Sequence, residues 1–243
     1  MASPGRGPVA LVGGEEFLAG NEPQDERLVL AASRLGEDRP AFVIATAAVR
    51  QDPDRAVATA RRWFAALGLD IEELPLRTRT QAGSSSVAAA AASGRFFYLC
   101  GGDPGICVRT LSGTAAWDAV LGAWRRGAPL AGSSAGAMAL GAWTLIRARM
   151  PGDARREARD ALGVVPRVAV IPHYAGFGHG WVPSARSTAP SATLVGIDER
   201  TGALWEDGEW CVHGRGGVTL ISGGRERSFA AGQVIRGLPA PRR

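Results

Sequence analysis

Apolar residues fall along this chain in short runs closed by glycine, alternating with longer stretches in which they recur every three or four positions. Val9-Ala-Leu-Val12, ended by Gly13-Gly14, predicts a buried first strand. Residues 24–35 have helical spacing, with Gly36 where a C-cap belongs. Ala41-Phe-Val-Ile-Ala45 predicts a second buried strand. A helix then starts with Asp52 as N-cap and Pro53 at its first position, carries Val57, Ala60, Phe64 and Leu67 on one side, and stops at Gly68. Residues 70–76 read as a weaker strand, and the Ala/Ser/Gly-rich residues 82–94 as a loop with a short helix over 87–92. Phe96-Phe-Tyr-Leu-Cys100 is a strong strand pattern, residues 114–126 a helix, and 128–131 a strand that runs into Gly132-Ser-Ser-Ala-Gly136. Repeated strand–helix units of this kind imply a mostly parallel sheet with helices on both faces.

Beyond residue 140 the texture changes. Residues 147–161 are charged and predict a loop and an exposed helix, residues 167–173 an apolar strand ending on His173, and 174–190 a loop with one helical turn. Residues 193–197 predict a strand ending at Asp198-Glu199. Residues 203–205 and 210–212 flank Asp207-Gly208 as a hairpin, and 218–221 extend an antiparallel set near the C-terminus. With no internal repeat and no linker-like stretch, a single α/β domain over 9–236 is expected. Residues 1–8 are expected to be flexible and 237–243 frayed.

Composition narrows the setting. All 28 basic residues are arginine, and the net charge of +5 is spread in pairs such as Arg61-Arg62 and Arg125-Arg126 without a basic block, which argues against nucleic acid as a partner. Three cysteines, Cys100, Cys107 and Cys211, lack metal-ligand spacing and suit a reduced compartment. The N-terminus has no signal-peptide pattern and no apolar run reaches membrane-spanning length, so a cytoplasmic protein without membrane association is expected.

Gly132-Ser-Ser-Ala-Gly136 has the G-x-S-x-G pattern of a nucleophile elbow, with Ser134 at its centre between a strand and a helix-competent segment. In an alanine-rich chain the same pattern also occurs as an ordinary strand–helix connection. A serine nucleophile needs a base and the base an orienting acceptor. Of the three histidines, His173 closes a buried strand, His179 lies in a glycine-rich loop and His213 in the late hairpin. His173 is the expected base. Glu199, Asp198, Asp153 and Asp160 all remain open as its acidic partner. The order serine, histidine, acid differs from that of α/β-hydrolases.

Several spaced motifs together resemble the serine peptidase family of aspartyl dipeptidase (peptidase E) and cyanophycinase. They are Gly101-Gly102-Asp103, Leu130-Ala-Gly-Ser-Ser-Ala-Gly-Ala137, Pro172-His-Tyr174, Gly196-Ile-Asp-Glu199 followed by Ala203-Leu204, and Gly214-Arg-Gly216 before Val218-Thr219. The likeness runs from Leu11 to about Ile221. It implies a class I glutamine amidotransferase-like fold, Ser134 as nucleophile, His173 as base, and an oxyanion hole from the backbone of Ala135 and of Gly102 or Asp103. Glu199 corresponds to the acid of the cyanophycinase-like branch. The dipeptidase branch has an aspartate where this chain has Arg149, which favours Glu199 or, failing that, Asp153. Cyanophycinase-like chains often carry glutamine after the paired glycines, where this chain has Asp103-Pro104.

The expected function is hydrolysis of a small peptide or isopeptide bond through an acyl-enzyme, requiring no metal or organic cofactor. Arg109 and Arg186 are candidates to pair with an acidic substrate. Asp103, Glu15 and Glu16 would receive an arginine-rich one. Two alternatives remain: a catalytically silent domain that binds a peptide or partner, marked by a poorly formed Ser134–His173 pair or a plugged cleft, and an esterase or acyltransferase on the same triad, with Trp181 and Tyr174 beside the base. An exposed sheet edge or the C-terminal hairpins could support a homodimer.

Overall fold

The computed structural model describes residues 5–147 and 155–242. In chain order it contains β1 (Val9–Val12), α1 (Glu22–Ser33), β2 (Ala41–Ile44), α2 (Pro53–Ala66), β3 (Glu72–Glu73), α3 (Arg79–Ala82), α4 (Ser85–Ser93), β4 (Phe96–Leu99), α5 (Pro104–Leu111), α6 (Ala115–Arg125), β5 (Leu130–Ser133) and α7 (Ala135–Leu140). There follow β6 (Gly141–Arg147), β7 (Arg156–Asp160), β8 (Val165–Ile171), α8 (Val182–Thr188), β9 (Thr193–Ile197), β10 (Thr201–Glu206), β11 (Glu209–Gly214), β12 (Gly217–Ser222) and β13 (Arg225–Ala230).

The strands form two sheets. A seven-stranded sheet has the order β11-β10-β1-β5-β4-β2-β3, parallel from β1 to β3, with the β10–β11 hairpin antiparallel at one edge. Its short parallel strands are buried on both faces. In β4, Phe96 and Tyr98 join Phe64 of α2 and Leu28 of α1, while Phe97 and Leu99 join Trp117 and Trp124 of α6 on the other side. That period-two division explains why the run reads as uniformly apolar. The small residues of α4 let it lie against α6, which is how a stretch of alanine and serine becomes a core helix.

The second sheet, β13-β12-β9-β8-β6-β7, is mixed and is a departure from the single sheet expected. The charged stretch read as loop and exposed helix instead supplies β7, paired antiparallel with β6, with Ala158 opposite Leu145. Trp143, Thr144 and Ile146 favour a strand, and a charged sequence is well suited to the edge position beside it. Further differences are the extra elements α5 and β13, a two-residue β3 cut short before Pro75, and β5, which starts two residues later than expected. The α/β class with C-terminal antiparallel hairpins stands.

The described ends of the chain are tied down. Gly7 and Trp124 exchange two hydrogen bonds, Arg6 Nη1 donates to Pro241 O at 2.9 Å, and Arg242 N donates to Val164 O at 2.7 Å. Among the described residues no helix is long and apolar enough to cross a membrane.

One buried carboxyl makes the fold pH-sensitive. Asp25 of α1 is fully buried, accepts a hydrogen bond from Trp63 Nε1 at 2.8 Å, and leaves Oδ1 without a partner. Burial pushes its pKa from 3.8 up to about 8, opposed by the Trp63 bond and reinforced by Glu16 and Glu22. Between these values the native state holds a proton that the unfolded chain has lost. Stability therefore falls as pH rises through the window, by on the order of 1.4 kcal/mol per pH unit, and levels off above the folded pKa. In Asp25→Asn the decline should disappear, as read by denaturant unfolding from pH 5 to 9; an unchanged slope would assign it to other groups.

Candidate active site

The carboxyl ends of four strands and one elbow converge on a single cleft. At the elbow, β5 turns into α7 through Ser134, whose backbone sits at φ 47° and ψ −110°. Side chains are excluded around it. A Cβ on Gly132 would lie 2.5 Å from the carbonyl carbon of Gly136, and one on Gly136 would lie 2.3 Å from Leu99 O. The paired glycines of the motif are thus a packing requirement of the sharp turn. Ser134 N donates to Val12 O at 2.9 Å, tying the turn to β1.

His173 follows β8 and is also in the left-handed region, at φ 51°. Its N–H donates to Gly13 O at 2.8 Å, Phe177 stacks on its ring at 4.9 Å, and Gly14 (φ +123°) lies directly against the imidazole. Held in this way, His173 Nε2 is 3.1 Å from Ser134 Oγ, and His173 Nδ1 is 2.7 Å from Glu199 Oε1. With Nδ1–H donating to the carboxylate, Nε2 faces the serine as an acceptor, the arrangement a general base requires.

The other acids are placed elsewhere. Asp198 accepts from Ala175 N and Gly217 N, so it shapes the turn after His173 and does not reach its ring. Asp160 is exposed at the end of β7, opposite Trp143. Asp153 and Arg149 lie outside the described residues. Among the other histidines, His179 packs edge-on to Tyr174, and half-buried His213 sits in β11 opposite Gly202, where burial lowers its pKa. Neither is bonded to Ser134.

The turn after β4 departs from expectation in one respect. Asp103 N donates to Ala47 O at 2.8 Å and its side chain caps α5 through Ile106 N, so its N–H is not open to an oxyanion. Gly102 sits at φ +136°, and a Cβ there would lie 2.1 Å from Ala47 O. Among the described residues, the N–H groups of Gly102 and Ala135 have no backbone acceptor, and both residues line the cleft with Ser134.

The cleft has a volume of about 640 Å³ and, among the described residues, is walled by Arg50, Arg109, Arg147 and Arg156 against a single carboxylate, Asp103. Arg156 is the most constrained of these. Its guanidinium lies 3.9 Å over the Trp181 ring with Nε unpartnered, and its pKa is lowered by burial and by Arg147. Of the two arginines singled out in the sequence, Arg109 lines the cleft, whereas Arg186 is exposed on α8 and does not. Arg50, Arg147 and Arg156 were missed, because in a chain of 28 arginines only the β6–β7 hairpin and the loop after β2 reveal which ones face inward. Glu15 and Glu16 are not open to a substrate arginine: Glu15 Oε2 pairs with Arg200 Nε at 2.6 Å, and Glu16 turns inward. Among the described residues no group of three or more His, Cys, Asp or Glu is placed to hold a metal ion.

Fold and cleft together define an α/β protein with a serine elbow facing a histidine–carboxylate pair. Residues 11–213 match peptidase family S51, and the chain belongs to that family. Cyanophycinases from Trichormus variabilis and a Nostoc species are each 32% identical over 167 residues, an alignment covering 66% of this chain but 56% of each relative's length. The crystal structure of a peptidase from an acI-B1 Actinobacterium superposes with a TM-score of 0.84 at 28% identity, covering 96% of this chain and 98% of that one. A putative peptidase E from Listeria monocytogenes shares the fold at a TM-score of 0.56 and 16% identity, over 93% of this chain and 98% of that one.

Proposed function

We propose that the protein is a serine peptidase that cleaves a short peptide or isopeptide carrying a negative charge beside the scissile bond. The observation that carries the chemistry is the continuous relay from Ser134 Oγ to His173 Nε2 and from His173 Nδ1 to Glu199, at 3.1 and 2.7 Å. Ser134 Oγ attacks the carbonyl carbon as its proton passes to His173 Nε2. Glu199 holds the ring in the reactive tautomer and stabilises the imidazolium. The oxyanion is received by the N–H groups of Gly102 and Ala135. On collapse of the tetrahedral intermediate, the proton on His173 goes to the departing amine, leaving an ester on Ser134. A water deprotonated by His173 then attacks the ester, and the acid product leaves with Ser134 restored.

The arginine-rich wall supports an acidic substrate, because four arginines lining the cleft with one carboxylate among the described residues attract anions and repel a second basic chain. The cyanophycinase relatives make β-aspartyl-arginine peptides a necessary member of any substrate panel, beside α-aspartyl dipeptides and neutral dipeptides. Hydrolysis of the acidic members, lost in Ser134→Ala, is the expected outcome; turnover surviving that substitution would remove Ser134 as nucleophile.

Arg156 offers a separate test of the charge preference. In Arg156→Gln, kcat/KM for acidic peptides should drop by about 10- to 100-fold through KM, the equivalent of one charge-assisted hydrogen bond, with neutral peptides little affected. An equal loss on both substrate types would mean that Arg156 only supports the wall.

A further inference from the structure

The turn Gly101-Gly102-Asp103 contains three successive peptide units whose N–H groups are treated differently. Gly101 N–H donates to Glu16 Oε1 at 2.7 Å and Asp103 N–H donates to Ala47 O at 2.8 Å, while Gly102 N–H between them has no acceptor. Peptide units are planar and turn only about φ and ψ, so anchoring the outer two restrains the middle one. Ala47 O belongs to the backbone and is always present. The other anchor is a side chain.

Glu16 also reaches the nucleophile strand. Its Oε2 accepts from Ser133 Oγ at 2.8 Å, and Ser133 is a fully buried residue one position before Ser134. The fit is close: a Cβ on Gly101 would lie 2.9 Å from Glu16 Oε1 and 3.4 Å from Ser134 Cβ. Glu16 closes the segment 13–16, in which Gly13 O accepts from His173 N and Gly14 lies against the His173 ring. One short segment therefore touches the base, the nucleophile strand and the oxyanion turn.

We propose that Glu16 is a positioning residue: by tying Gly101 N–H to Ser133 Oγ, its carboxylate holds the Gly102 N–H towards the oxyanion formed at Ser134. This assignment rests on the reading of Ser134 as a nucleophile. Both carboxylate oxygens are engaged within the protein, so Glu16 acts through its neighbours and not by touching substrate. The bridge works through hydrogen bonds, so glutamine can replace it, with Oε1 accepting from Gly101 N–H and Nε2 donating to Ser133 Oγ. Alanine cannot.

The test measures the rate at which a small fluorophosphonate labels Ser134, which needs the oxyanion hole but no peptide recognition. It is paired with amide hydrogen exchange over residues 100–103. Glu16→Ala should label about 10- to 100-fold more slowly, within the range for loss of one oxyanion donor. It should also exchange faster at Gly101, whose N–H loses its acceptor, and Glu16→Gln should recover most of the lost rate. The double variant Glu16→Ala/Ser133→Ala should be no slower than Glu16→Ala, since both remove one bridge. Wild-type labelling by Glu16→Ala, or a Glu16→Gln protein as slow as Glu16→Ala, would overturn the assignment. Should Glu16→Ala not fold, Ser133→Ala decides: slower labelling and faster exchange uphold the bridge, and wild-type values sink it. A wild-type protein that does not label at Ser134 would remove the hydrolase reading instead. The exchange data alone would then decide, with unchanged protection in Glu16→Ala counting against the bridge.

Discussion

Replacing Ser134 with alanine should reduce peptide hydrolysis by about 10⁴- to 10⁶-fold, the range for loss of a nucleophile whose partners act as a unit. The fold should survive, because the substitution deletes one hydroxyl and keeps the Ser134 N–H donating to Val12 O at 2.9 Å. A steady-state assay with the preferred acidic peptide, alongside a thermal melt, separates loss of chemistry from loss of structure. Removal of Ser134 together with His173 should then cost little more than Ser134 alone, because neither side chain can act without the other. A double variant that is orders of magnitude slower than Ser134→Ala would point to a second route to hydrolysis through the histidine.

The second large effect comes from a residue with no side chain. Gly14→Ala would place a methyl group 2.3 Å from His173 Cε1 and 2.6 Å from Nε2, inside the space the imidazole occupies, at a backbone φ of +123° that alanine rarely adopts. The ring cannot stay where it is. Displacing it should lower kcat by about 10³-fold or more, approaching the loss from removing the base. Gly180→Ala, in the turn beyond His173, meets nothing within 4 Å and should leave kcat near wild type. Equal kcat values for the Gly14→Ala and Gly180→Ala proteins would show that the imidazole has room to move without loss of function.

The legible parts of this molecule were those decided locally. Apolar runs ending in glycine marked β1, β4 and β5, the Asp52-Pro53 pair marked the start of α2, and G-x-S-x-G marked the elbow, because each depends on neighbours within a few positions. His173 stood out by its place at a strand end. Glu199 was one of four acids until the family resemblance favoured it, and the 2.7 Å contact with His173 separates it geometrically from Asp198 and Asp160. What stayed hidden depends on distant partners. The Arg156–Asp160 strand exists because β6 lies beside it, and its charged composition alone reads as a solvated helix. The commitment of Asp103 N–H to Ala47 O, and the inward turn of Glu16 towards a glycine 85 positions away, leave no trace in local pattern.

The two sheets divide the Ser134–His173–Glu199 constellation between them. Ser134 leaves the seven-stranded sheet at the end of β5, while His173 and Glu199 leave the six-stranded sheet at the ends of β8 and β9. During synthesis the serine therefore emerges before its base, on a sheet that lacks β10 and β11 until the later strands arrive. Until the last third of the polypeptide has docked, Ser134 Oγ lacks the His173 ring that faces it and the Glu199 carboxylate behind that ring.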